Sequence, residues 1–239
     1  MTGKDRKTLS KIGRTPTPSE LYAELMSSLG WEYKGKENTK LFYHCRDKAL
    51  CAILYNGELR ITEALRLTVG QFEDTPDVLF VKEVLLSKTR GKKQYRLVTL
   101  PKTGERALFT RLVLEYLTTL KQRGAKPETR LFPWSLKVKV RPVKRKEPDG
   151  TFTSVHKWKT IPGKETPLKS VQTSGACRAW QIVRKTLPSL TQHWLRVYGE
   201  KYLYRALGKD IMAVSKIVHV DARTAIKYVA SGEEQFPVV

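Results

Sequence analysis

The spacing of apolar positions divides the chain into helical stretches separated by short polar breaks. Leu21, Leu25 and Leu29 recur every four residues, and Thr17-Pro18-Ser19-Glu20 ahead of them forms a capping box with proline at the first helical position. A helix is therefore predicted to start there and to end at Gly30. Residues 31–40 read as a loop, and residues 41–55 as a longer helix with Leu50, Ile53 and Leu54 apolar, stopped by Asn56-Gly57. The next run, 58–67, places Arg60 at the turn into a short helix, with Thr62 able to cap it and Glu63 near its positive end. Residues 78–86 and 94–100 are rich in β-branched and aliphatic side chains and predict a hairpin whose tip is 87–93. Over 104–123 the apolar stripe is Leu108, Leu112, Val113, Tyr116, Leu117 and Leu120, with Gly124 where a terminating glycine belongs. A further helix over 174–187 would turn Cys177, Trp180, Val183 and Leu187 inward and stop at Pro188.

In the last fifty residues three short helices follow. Thr191 can cap one that carries His193 and Arg196 three apart on a single face. Asp210 and Asp221 each precede an apolar-periodic run, 211–218 and 222–229, so two more helices would carry His219 and Tyr228. The expected class is α+β, mostly helical, with a small antiparallel sheet or hairpin. No internal repeat is visible, which argues against a solenoid.

Charge narrows the partner. With 45 Lys and Arg against 23 Asp and Glu the formal net charge is +22, the footprint of a polyanion binder, and double-stranded nucleic acid is the leading candidate. The cations cluster. Residues 1–16 read as a basic flexible arm; Lys88, Arg90, Lys92 and Lys93 crowd the hairpin tip, where they repel one another unless a polyanion lies between them. Residues 137–169 hold ten Lys or Arg, among them Lys137, Lys139, Arg141, Lys144, Arg145 and Lys146, against three acids, with Phe152 and Trp158 interspersed. That stretch reads as an inserted loop or hairpin tracking a nucleic-acid backbone. No apolar run is long enough to span a membrane, and no apolar block follows the first residues as in a signal peptide, so a cytoplasmic location is expected. The three cysteines, Cys45, Cys51 and Cys177, lack zinc-site spacing and read as reduced and mostly buried. Phosphate-binding glycine motifs are absent, so neither metal nor cofactor is expected.

A basic pair, a second imidazole and a late tyrosine suggest a phosphodiester held by cations and attacked by a phenol. Taken in order, Arg60, Lys88, His193-x-x-Arg196, His219 and Tyr228 resemble the series of the tyrosine recombinase (phage integrase) family. Residues 55–67, an apolar helix end, glycine, then arginine with Glu63 three later, look like the family's first box. Ser87-Lys88-Thr-Arg-Gly-Lys92 with Leu97-Val-Thr-Leu-Pro101 resembles its lysine hairpin, and His193-Trp-Leu-Arg196 its second box. The intervals of 23 residues from Arg196 to His219 and 9 from His219 to Tyr228 also fit.

The resemblance implies a catalytic domain over 17–229, with the basic insertion inside it and a tail at 230–239. It departs from the family in three places: little chain precedes the first box where a DNA-clamping domain usually stands, the gap from Arg60 to His193 is long, and Val218 replaces a common glycine. It further implies that Arg60, Arg196 and His193 hold the scissile phosphate and that Tyr228 attacks it to leave a 3′-phosphotyrosyl enzyme. Lys88, or Lys92 if the hairpin alignment slips, would protonate the leaving 5′ oxygen, His219 would support phosphate or tyrosine, and Glu63 would orient the first arginine. Self-assembly into a tetramer on DNA at synapsis is implied as well. Two other readings stay open here: a type IB topoisomerase-like nicking and closing enzyme, and a DNA-binding protein of the same fold without turnover.

Overall fold

The computed structural model describes residues 15–28, 36–87, 93–132, 136–139, 143–146, 152–155, 158–161, 179–187 and 192–229. Helix α1 (Pro18–Ser27) begins at the expected box: Thr17 Oγ1 accepts from the Glu20 N–H at 3.2 Å, and Glu20 Oε2 accepts from the Thr17 N–H at 2.9 Å. Leu29 and Gly30, the expected end of this helix, lie outside the described residues. Helix α2 (Glu37–Asn56) starts inside the stretch expected to be a loop; Glu37 to Lys40 form its first turn, where Lys40 Nζ donates to Glu37 at 3.2 Å. The short α3 (Ile61–Ala64) corrects another expectation. Its cap is Arg60, whose N–H donates to Glu63 Oε2 at 2.9 Å, so Thr62 lies within the first turn and caps nothing.

The hairpin strands are β2 (Val78–Leu85) and β3 (Tyr95–Pro101), preceded by β1 (Phe72–Asp74); the sheet is antiparallel in the order β1-β2-β3. Three residues of β1 are too few for alternation to reveal them. Between the pairs Val81 with Val98 and Val84 with Arg96, β2 advances three residues and β3 two, a bulge at which Glu83 takes a φ of 52°. Gln71 Nε2 binds this bulge, donating to the carbonyls of Lys82 at 3.0 Å and Glu83 at 2.9 Å. Helix α4 (Ala107–Gln122) keeps the expected stripe except at its start, where Phe109 is buried and Leu108 only half-buried; Gly124 closes it at a φ of +80°.

The basic stretch forms two antiparallel ladders between the same pair of segments. β4 (Leu136–Lys139) pairs with β7 (Trp158–Ile161), and β5 (Val143–Lys146) with β6 (Phe152–Val155). The two ladders are separate two-stranded sheets, and residues 140–142 and 156–157 between them lie outside the described residues. Lys137 and Lys139 lie in β4, and Lys144, Arg145 and Lys146 in β5; Arg141 is outside the described residues.

Helix α5 (179–186) departs from the expected inward set. Its buried stripe is Ala179, Ile182, Val183, Thr186 and Leu187, a three- and four-residue spacing that leaves Trp180 one step around the helix, 38% exposed and covered by the Arg184 guanidinium at 5.3 Å. Cys177 is outside the described residues; Cys51 is buried and Cys45 half-buried. The last three helices, α6 (Gln192–Ala206), α7 (Ile211–Val218) and α8 (Ala222–Val229), stand where they were expected. Asp210 caps α7 by accepting from the N–H groups of Met212 at 2.8 Å and Ala213 at 3.0 Å, and Asp221 accepts from Thr224 at the start of α8. Thr191, the expected cap of α6, lies outside the described residues. Among the described residues no helix is long and apolar enough to cross a membrane.

Helix α2 is the axis of the packing. Every residue from Ala49 to Leu59 is buried, because this half is apolar on all sides and lies against α4 and α6 at once. The main core joins α1, α2, the sheet, α4, α5 and the first half of α6; a small second core of Tyr204, Val214, Val218 and Val229 serves α7 and α8. The approach of α6 to the end of α2 depends on Gly199, where an added Cβ would sit 2.3 Å from the Tyr55 carbonyl oxygen. Backbone cannot move aside as a flexible side chain does. Gly199→Ala should therefore destabilise the fold by about 3 kcal/mol or more, read as a lower midpoint in urea unfolding followed by circular dichroism; an unchanged midpoint would show that the contact can relax.

Candidate active site

The Glu63 carboxylate gathers groups from three distant parts of the chain. Its Oε2 accepts from the Arg60 N–H at 2.9 Å, and its Oε1 accepts from Arg60 Nη1 at 2.9 Å, from the Ser87 N–H at 3.1 Å and from Ser87 Oγ at 2.9 Å. Arg196 Nη1 stands 3.7 Å from the same carboxylate. Burial alone would raise this acid, but the hydrogen bonds from Arg60, the charge of Arg196 and the Ser87 N–H outweigh it and hold Glu63 below the ordinary carboxylate range. Arg60 and Arg196, 136 positions apart in sequence, are thereby brought to one point.

Arg196 differs from its sequence reading. It was expected to share one helix face with His193 and point the same way, yet it is 2% exposed while His193 is exposed. The cause is a second acid one turn along α6: Glu200 Oε1 accepts from Arg196 Nε at 2.6 Å, and Glu63 draws the guanidinium from the other side. Among the described residues neither Arg196 Nη1 nor Nη2 has a hydrogen-bond acceptor, so two buried charged donor nitrogens stand unsatisfied near Arg60, whose side chain is 25% exposed.

Tyr228 comes to His193 across the α6–α8 contact, with ring centroids 5.3 Å apart and planes at 72°. Half-buried, it packs against the main core. His219 caps α7 in the left-handed conformation at φ 50°, and the Val220 N–H reaches back to the Ser215 carbonyl at 3.2 Å, the bond that closes a Schellman turn. Partial burial, and then the charge of Arg96, hold the His219 imidazole below its ordinary value, which keeps it neutral at pH 7. Lys88, Arg90 and Lys92 lie outside the described residues; Lys93 is exposed, and Ser87, the residue before Lys88, is the one bound to Glu63.

Sequence reasoning passed over three buried charges around this point. Glu200 lies four residues after Arg196, the spacing at which helical side chains pair, so it was open to discovery. Arg96 shares the inward phase of Val98 and Leu100 on β3. Arg106 donates to the Tyr55 carbonyl at 3.0 Å, to the Asn56 carbonyl, and to Glu58 at 2.5 Å, closing the end of α2 just before Arg60. Nothing in the local pattern of 104–110 signals that role.

Burial pushes the Glu200 carboxyl up to about 7, with Arg196 opposing, Glu58 adding and Arg60 opposing in turn. Between the ordinary value of 4.5 and about 7 the folded chain binds a proton that the unfolded chain has released, so this residue's contribution to stability is present below 4.5 and is lost as pH rises toward 7. Glutamine carries no such proton. Urea unfolding of Glu200→Gln at about pH 5 and about pH 7.5 should show a smaller loss of stability between the two than the parent chain; an equal loss would place the titration elsewhere.

No protein-family model matches the chain, and no curated protein does either. Among solved structures it is similar to the XerH site-specific recombinase bound to difH substrate in a pre-cleavage complex, at 17% identity and a TM-score of 0.52, covering 90% of this chain and 50% of that one. The XerH post-cleavage complex with palindromic difH aligns at 13% identity and a TM-score of 0.51, covering 96% and 49%. A Tn1549 transposon integrase complex aligns at 17% identity with a TM-score of 0.46. The chain thus shares the α+β fold of the XerH site-specific recombinase and spans about half the length of the XerH chains it matches.

Proposed function

We propose that this chain is a site-specific DNA recombinase that breaks and rejoins strands through a 3′-phosphotyrosyl intermediate. The observation that carries the reading is the meeting of Arg60 and Arg196 at Glu63, with Tyr228 against His193 on the same helix as Arg196. Two guanidiniums meet on one buried carboxylate, and Arg196 Nη1 and Nη2 have no hydrogen-bond acceptor among the described residues, so they are donors of the kind that grips the nonbridging oxygens of a phosphodiester. His193, exposed beside Tyr228, adds a third donor to that phosphate.

The Tyr228 hydroxyl gives up its proton to solvent as its Oη attacks phosphorus, the bond from phosphorus to the 5′ oxygen breaks, and a second proton passes to that oxygen as it leaves. Lys88 is the proposed donor, with Lys92 as the alternative, and the hold of Glu63 on Ser87 supports it by fixing the neighbouring residue at the arginines. The returning 5′ hydroxyl of another strand reverses the step, so the energy of the broken bond is kept in the phosphotyrosine and religation needs neither ATP nor metal. Because Tyr228 packs on its own α6, it serves the site of its own chain. His219, neutral at pH 7, accepts or donates one hydrogen bond to phosphate or tyrosine. Lys93, the tip cations Arg90 and Lys92, and Lys137, Lys139, Arg141, Lys144, Arg145 and Lys146 neutralise flanking phosphates, and strand exchange proceeds in a tetramer assembled on two DNA sites.

A nicked suicide duplex should trap a covalent protein–DNA adduct with the parent chain and none with Tyr228→Phe; an adduct with Tyr228→Phe would assign the nucleophile elsewhere. Arg60→Ala and Arg196→Ala should each slow adduct formation by about a hundred- to a thousandfold. Relaxation of supercoiled plasmid by monomers would move the activity to nicking and closing instead. Lys88→Ala should slow cleavage of an ordinary 5′ oxygen leaving group and spare a 5′-phosphorothiolate, whose sulfur departs without a proton. Equal slowing of both would refute the general-acid role.

A further inference from the structure

Arg96 is 4% exposed and lies in β3 opposite Val84, at the far side of the bulge in β2. Among the described residues its guanidinium forms no hydrogen bond within its own sheet; its terminal nitrogens serve two other segments. Nη2 donates to the Gly57 carbonyl at 2.7 Å and to the Glu58 carbonyl at 3.2 Å, and Nη1 donates to the Ile217 carbonyl at 3.1 Å. Gly57 and Glu58 lead directly into Arg60. Ile217 is in the last turn of α7, two residues before His219, where helix carbonyls lack intrahelical partners and a cation is favoured.

The segment that carries His219 and Tyr228 is held by a small core of Tyr204, Val214, Val218 and Val229 and by Tyr228, which packs against the main core beside His193, while the Ile217 side chain is 43% exposed. Burying an arginine is costly, and Glu58, Glu63 and Glu200 supply the negative charge that offsets it. A leucine would fill the space. Only a planar fork reaches carbonyls on both sides together, because each terminal nitrogen serves a different segment.

We infer that Arg96 is a positioning residue that holds the Tyr228-bearing helices in register with Arg60, a role whose catalytic part rests on the strand cleavage proposed above. Arg96 touches neither nucleophile nor phosphate. It fixes where the two halves of the site stand relative to each other, through backbone rather than side chains.

The test uses the full chain with Arg96→Lys, which keeps the charge but not the fork, and Arg96→Ala with and without millimolar guanidinium. In hydrogen exchange, amides of 217–229 should exchange about tenfold faster in Arg96→Lys while those of α4 stay unchanged. On the nicked duplex at saturating DNA the rate of adduct formation should fall about a hundredfold with the DNA Kd within about twofold, and guanidinium should restore part of the rate to Arg96→Ala. Faster exchange spread equally over α4 and α8, or an unchanged adduct rate in Arg96→Lys, would overturn the inference. If Arg96→Ala fails to fold, the Arg96→Lys arms decide alone. A parent chain that forms no adduct refutes the cleavage reading, and the exchange pattern then decides whether Arg96 holds the two segments.

Discussion

The structure turns on one buried carboxylate. Glu63 receives a backbone N–H and a guanidinium from Arg60, both donors of Ser87, and the approach of Arg196, so the turn after α2, the end of β2 and the middle of α6 are fixed to a common point. An ion at 1% exposure is tolerated only when its lone pairs are met, and here the contacts come from the cap of α3, from Ser87 just after β2 and from α6. Without that acid, Arg196 would be left buried with Glu200 as its nearest counter-charge.

Around this point the chain uses positive charge in two ways. In the interior, Arg96 and Arg106 close the carbonyls at the end of α2 and Arg196 lies between two acids, so these arginines act through geometry at short range. Along the sequence, the hairpin tip 87–93 and the stretch 137–169 together carry fourteen Lys and Arg against three acids, half of the net charge of +22. Salt screening acts on solvated charges, so it leaves the buried arginines almost untouched.

Much of the fold is legible from periodicity. The capping box at Thr17, the stripe of α4, and the aspartates ahead of α7 and α8 each combine a local chemical signal with an apolar repeat, and these elements lie where they were read. Where one of the two signals is missing the reading slips. Glu37 to Lys40 are polar helix without an apolar partner, β1 is too short to alternate, and on α5 an aromatic was taken as inward because of its type when its phase placed it outward. At the site, Arg60, Glu63, His193, Arg196, His219 and Tyr228 were marked by residue type and interval, and the fold brings the two arginines to one carboxylate and the tyrosine to His193. The acids and arginines that complete the arrangement stayed hidden, because pairing across β3, α4 and α6 is a property of the tertiary packing and leaves no mark on a single segment.

His219 occupies the position in its turn where a residue without a side chain would rest most comfortably. A left-handed backbone costs an ordinary amino acid about 1 kcal/mol or more, and the Ser215 hydroxyl, donating to the Val220 carbonyl at 2.6 Å, helps to hold the loop in that shape. Left to local preference alone, mutation would drift this position toward glycine and gain a firmer junction between the last two helices. With an imidazole there instead, the junction between the last two helices carries a backbone cost that a glycine would not.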